Sequence, residues 1–260
     1  MLAVALYVGG CGSAASSLDA SKVKQAEEAA VPIITVDQYI DMSGMQESGG
    51  LASGSGAGAF MQRLLDDESF GLRPMVDLLH EKTYNVYAER LPVRFLPEDE
   101  VIGSTRYQQF QLLDDASSDA RLQRVNRLLV PKNYKKYNLG QDALLADRQQ
   151  KMFAAVPEGV DALLFVSANY AMVEDNPFWY WFLPISPDRA YVEATVRMEM
   201  INRNGETILE MSRTARSNNH LNTVGGISME PEKIQGLCSE ATKKAVAAID
   251  VATKKALAGS

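Results

Sequence analysis

Four side chains in this sequence have types suited to nucleophilic, redox or metal chemistry: Cys11, Cys238, His80 and His220, its only cysteines and histidines. Cys11 stands apart. It follows a short apolar run, Leu2 to Val8, and the small pair Gly9-Gly10, and Gly12-Ser13-Ala14-Ala15 come after it. An apolar segment closed by small residues has the form of an export signal. A thiol placed just after the cut is then the group open to modification. No Lys or Arg precedes Lys22, so the basic start of such a signal would have to lie upstream of Met1. The competing reading is a buried strand or a helix start. The run is far too short to span a bilayer, which takes about 20 apolar residues.

The other three candidates read as structural. Cys238 falls on the apolar face of a predicted helix and reads as a small buried hydrophobe. A reactive thiol would need a cationic neighbour to lower its pKa, and the nearby sequence supplies none. His80, in Leu79-His80-Glu81-Lys82, lacks the second His four residues on that a zinc helix needs. His220 lies in the polar loop Ser217-Asn218-Asn219-His220 and reads as solvated. Other patterns also yield to plainer readings. Pro97-Glu98-Asp99-Glu100 is an acidic helix start, where negative charge meets the positive end of the dipole. Ser53-Gly54-Ser55-Gly56-Ala57-Gly58 lacks the Lys and Ser/Thr of a phosphate loop and reads as a flexible surface loop. Lys132, Lys135 and Lys136 with Tyr134 and Tyr137 could suit a single-stranded nucleic acid, but an amphipathic surface turn fits an acidic chain better. No cofactor, metal or catalytic residue is assigned.

The segment that resists a plain reading is Phe178-Trp179-Tyr180-Trp181-Phe182, bounded by Pro177 and Pro184 and holding both tryptophans. It is either an aromatic loop that docks on a partner or a membrane interface, or a loop folded over the sheet edge.

Composition narrows the class. The 260 residues are 46% hydrophobic and 23% charged, enough for a globular core. A net charge of -7 argues against nucleic acid and against a polybasic hold on anionic lipid. Any membrane attachment would fall to a lipid anchor.

The elements that must position these residues follow from periodicity. Residues 12–30 read as a tether with a short helix over 21–30. Pro32 opens a strand at Ile33-Ile34-Thr35-Val36, open to extension by Tyr39 and Ile40. Helices are expected from Phe60 to Asp67 and from Pro74 to Arg90, then a strand at Val93–Leu96. Residues 104–153 look mainly helical. Val160–Val173 is a strand whose centre, Leu163-Leu164-Phe165-Val166, is apolar on both faces. Tyr191–Ile201 alternates as a half-buried strand. Asn202-Arg203-Asn204-Gly205 is a hairpin turn leading to Thr207–Thr214. A helix from Glu230 to Leu257 puts Ile234, Leu237, Cys238, Ala241, Ala245 and Ile249 on one face. The order predicts an α/β fold: a two- or three-layer sandwich, with a mixed sheet, a C-terminal antiparallel hairpin and a long C-terminal helix. The expected division is a signal remnant over 1–11, a tether over 12–30 and one α/β domain over 31–258.

Val8-Gly9-Gly10-Cys11 resembles the lipobox of bacterial lipoproteins, in which the cysteine is acylated and becomes the new N-terminus. Gly12 stands where an aspartate would favour inner-membrane retention, so the resemblance implies the outer membrane of a Gram-negative bacterium, facing the periplasm. With this element order and the strand Asp161–Val166, the chain resembles outer-membrane lipoproteins with an anticodon-binding-like α/β domain. That broad group includes the curli secretion-channel lipoprotein and activators of penicillin-binding proteins. The resemblance implies lipidation at Cys11, an envelope protein partner, a capacity for homo-oligomers, and a non-catalytic role in assembly, secretion or cell-wall maintenance. Two alternatives stay open: an extracytoplasmic hydrolase with a carboxylate-based site near His220, and a subunit of an oligomeric secretion channel.

Overall fold

A computed structural model describes residues 16–43, 45, 54–111, 127–136, 149–175, 189–222 and 230–258. One mixed sheet organises them. Its strands are β1 (Ser16–Leu18), β2 (Glu28–Asp41), β3 (Arg94–Phe95), β4 (Leu128–Leu129), β5 (Ala162–Asp175), β6 (Arg189–Asn202), β7 (Thr207–Arg216) and β8 (Leu221–Asn222). Their order is β1-β7-β6-β5-β2-β3, with β4 also on β2 and β8 also on β6. β2 runs parallel to β3 and β5; the other pairings are antiparallel.

The alternation of β6 sets the two faces. Val192, Ala194, Val196, Met198 and Met200 are buried under the final helix, α7 (Pro231–Ala258), which lies across β6 and β7. Leu164, Val166, Ala168 and Tyr170 of β5 share that face by register. The Tyr170 hydroxyl meets Thr242 Oγ1 at 2.8 Å, and Thr253 of the same helix reaches Met211 of β7 at 3.0 Å. The alanines at 241 and 245 let the helix approach closely.

The opposite face is covered at one end, where residues 149–154 lie over Phe165 and Glu199, and Gln149 donates to Glu199 at 2.9 Å. Toward the other end it carries polar pairs, such as Thr195 with Thr214 at 2.8 Å. The centre of β5 is thus covered on both sides, as its unbroken apolar run predicts.

Three expectations need correction. The tether over 12–30 is folded from Ser16 onward: β1 pairs with Leu209–Met211 of β7. The helix in this stretch, α1 (Ala20–Gln25), starts where Asp19 accepts from the Lys22 N–H and ends at an extended Ala26. Strand pairing to β3 and β5 on either side wins residues 28–30 from it, since propensity is a weak prior against a two-sided ladder. The strand expected at 33–36 is 14 residues long. Pro32, which has no N–H to give, is tolerated because the register with β5 shifts between Ala30 and Ile33.

Third, the glycine run expected as a loop opens a helix, α2 (Gly54–Asp66), whose later residues Phe60, Met61 and Leu64 are buried. Burial of that apolar stripe offsets the glycines' propensity cost of about 1 kcal/mol each. The hairpin expected at Asn202-Arg203-Asn204-Gly205 forms between β6 and β7. Three residues, 203–205, join Asn202 to Glu206, and Gly205 sits at φ +78°. That is the three-residue form with its left-handed residue supplied by glycine.

Candidate functional site

The helical run after α2 carries the densest polar chemistry. It comprises α3 (Arg73–Lys82), a π-helical turn over Thr83–Tyr87, and α4 (Ala88–Arg90). The run matches the helix expected over 74–90; the π turn has no periodic signature. Such turns concentrate at functional sites. Here three side chains pin the widened turn: Thr83 Oγ1 donates to Leu79 O at 2.7 Å, the hydroxyls of Tyr84 and Tyr134 meet at 2.8 Å, and Tyr87 donates to Val246 O at 3.4 Å.

One side of this run faces α5 (Glu98–Ile102), α6 (Thr105–Gln109) and the turn at 131–136. His80 Nε2 and Glu98 Oε2 are 2.9 Å apart. The contact does not meet hydrogen-bond geometry, and Nε2 has no hydrogen bond among the described residues. Tyr84 and Tyr134 pack on the imidazole, with ring centroids at 5.2 and 6.2 Å. Burial pushes both phenols above their usual range, so they stay neutral. Tyr107 donates to Pro32 O at 2.8 Å, at the bulge in β2, and accepts the Lys135 N–H at 3.0 Å. A carboxylate-oriented histidine can act as a general base. Besides Glu98, the titratable groups that meet this one are phenols held protonated, which makes the cluster a polar stitch joining α3, α5, α6 and β2.

The other side of the run faces α7 across a groove of about 300 Å³. Leu78 and Val86 form one apolar wall; Val246 and Ala247 form the other. Residues four apart drift around an α-helix by about 40° per step. The wider π turn takes back part of that drift, so Leu78, Lys82, Val86 and Arg90 all line the groove. Arg90 is ion-paired with Asp250, which also holds Lys254 at 3.1 Å. Lys82 and Lys243 line opposite walls and have no ion-pair or hydrogen-bond partner among the described residues.

Cys11 and the aromatic segment Phe178, Trp179, Tyr180, Trp181 and Phe182 lie outside the described residues. Cys238, on the buried face of α7, is fully buried, and burial pushes its thiol far above the ordinary range. The His220 ring packs tilted against Tyr191, with centroids 5.5 Å apart, and Arg216 lies over the Tyr191 ring at 4.0 Å from its centroid. Its loop is tied to α7 by Glu240, which accepts from the Asn218 N–H at 2.8 Å. The acidic stretch at 98–100 does open α5, as its sequence predicts, while Glu98 also turns toward His80. Tyr134, read as part of a surface turn, is buried.

The groove escaped the sequence reading because Leu78, Val86 and Tyr87 register as one core face. The available signal was the basic residues, Lys82 and Arg90, set in the same four-residue row. Among the described residues, no group of three or more His, Cys, Asp or Glu could hold a metal ion, and no helix is long and apolar enough to cross a membrane.

No protein-family model matches the chain, and no curated protein sequence matches it. Among solved structures, a hypothetical protein of Chlamydia trachomatis is similar at 7% identity and a TM-score of 0.28, covering 88% of this chain and 97% of that one. A likeness at that level carries no argument about fold or function.

Proposed function

We propose that the protein is a non-catalytic envelope lipoprotein, acylated at Cys11, that acts through protein contacts at the periplasmic face of the outer membrane. The observation that carries this reading is how few residues separate Cys11 from the sheet. β1 is clamped to β7 from Ser16, so only residues 12–15 separate Cys11 from the sheet. Five residue steps span at most about 18 Å when fully extended. An acyl anchor at Cys11 would therefore hold the β1–β7 edge against the membrane surface, and the partner would have to be met there. A long tether would instead have let the domain reach across the periplasm. The candidate contact remains the aromatic segment 178–182, whose Trp and Tyr suit an interface with one wet side.

Cys11→Ser tests the anchor. The variant should move from the membrane to the soluble fraction while keeping its fold; unchanged fractionation would refute acylation. Pull-down from crosslinked envelopes, comparing the parent with Trp179→Ala/Trp181→Ala, tests the contact. The same captured partners at the same yield would remove the aromatic segment from the proposal.

A further inference from the structure

We propose that the groove between the π-turn helix and α7 is a binding site for a single-chain anionic amphiphile of the fatty-acid class, its carboxylate between Lys82 and Lys243 and its chain on Val86, Val246 and Ala247. The inference holds whether or not Cys11 is acylated.

Charge is the first argument. The chain carries a net charge of -7, yet this groove gathers Lys82, Arg90 and Lys243 against one acid, Asp250. Asp250 is already engaged by Arg90 and Lys254. Among the described residues, two ammonium groups on facing walls are left uncompensated, and an anion lying between them would meet both.

Shape is the second. Small-molecule pockets begin at about 300 Å³ and are mostly apolar with a few placed polar groups. This groove has that volume and that lining. One turn of a helix with its side chains occupies about 400 Å³, so a helical peptide would not seat within it. A flexible acyl chain would. The Arg90–Asp250 pair closes one end, which orients the carboxylate toward the two lysines.

The π turn gives the site its reach. Without it, Val86 and Arg90 would rotate away from Leu78 and Lys82, and the row facing α7 would break.

The test is calorimetric titration of the full chain carrying Cys11→Ser, which keeps detergent out of the assay, with laurate and with lauryl alcohol. Laurate should bind at one site, about tenfold more tightly than the alcohol, the effect expected of two partly exposed charge pairs. Lys82→Gln/Lys243→Gln should bring laurate down to the alcohol's affinity. Ala247→Trp, which fills the groove from an exposed position, should abolish binding of both. Unfolding midpoints equal to the parent's show that each variant is folded. Equal affinity for acid and alcohol would overturn the anion site. Laurate binding that survives Ala247→Trp would place the ligand elsewhere and overturn the groove. No saturable laurate binding, or saturation by a glutamate-rich helical peptide instead, would overturn the occupant.

Discussion

Substituting the two partners of the Tyr170–Thr242 hydrogen bond should give unequal losses of stability. The hydroxyls are 2.8 Å apart at the buried contact between β5 and α7. The Thr242 hydroxyl donates its one proton to Cys238 O at 2.7 Å. Tyr170 must therefore be the donor to Thr242. Tyr170→Phe removes that donor and strands nothing, because Thr242 still gives its proton to the helix carbonyl; the loss should be about 1 kcal/mol. Thr242→Val keeps the branched shape that suits this helix position but leaves a buried phenolic O–H with no acceptor. That penalty runs to about 2–3 kcal/mol. The double variant buries matched apolar groups and should cost no more than about 1 kcal/mol, giving a coupling energy of about 2 kcal/mol. The assay is urea unfolding followed by circular dichroism. With a slope of about 3 kcal/mol/M, Thr242→Val should lower the midpoint by about 0.7–1 M, and Tyr170→Phe by about a third of a molar. Equal losses for the two single variants, or additivity in the double, would refute the assignment of the donor.

Two further outcomes follow from particular residues. Gly205→Ala should destabilise the fold by about 1–2 kcal/mol, read as a shift in urea midpoint. Its φ is +78° and the nearest atom to an added Cβ, Gln150 Oε1, is 3.6 Å away, so strain and not crowding is the cause. Stability should also fall on the alkaline side. Burial pushes Tyr87 from 10.0 up to about 12, against the pull of Arg90, and raises Tyr84, Tyr134 and Tyr170 as well. A folded pKa above the unfolded one means that the stabilisation is fully present below pH 10 and is lost as pH rises past it. For Tyr87 the loss is about 1.4 kcal/mol per pH unit between 10 and 12. Urea midpoints that hold constant through that window would contradict the burial of these phenols.

The candidate chemistry was only partly legible in the sequence, and the reasons differ by residue. Cys238 was readable because a helix repeats: Ile234, Leu237, Ala241 and Ala245 around it define a face, and anything on that face meets the sheet. His80 was not. Its neighbours in sequence, Glu81 and Lys82, play no part in its surroundings, while Glu98, Tyr84 and Tyr134 arrive from α5, the π turn and a distant loop. The groove was hidden in the same way: its walls meet between positions such as Tyr87 and Val246, 159 apart in the chain.

The sequence by itself determined the elements that rest on local periodicity and turn chemistry. These are the alternating strand β6, the glycine-bearing hairpin after it, the two-sided apolar centre of β5, and the buried face of α7. Each is set by whether side chains recur every two or every 3.6 residues, which a single strand of text records. Tertiary structure decided what depends on partners elsewhere. It extended β2 through Pro32, because a bulge and the Tyr107 hydroxyl serve the backbone there. It drew residues 16–18 onto β7, because an open sheet edge offers hydrogen bonds that a free tether lacks. It widened the helix at Thr83–Tyr87, because Tyr84 and Tyr87 are held by groups on other elements. Long-range hydrogen bonds and packing select among conformations that local sequence leaves nearly equal, and the groove between Lys82 and Lys243 exists only after they have done so.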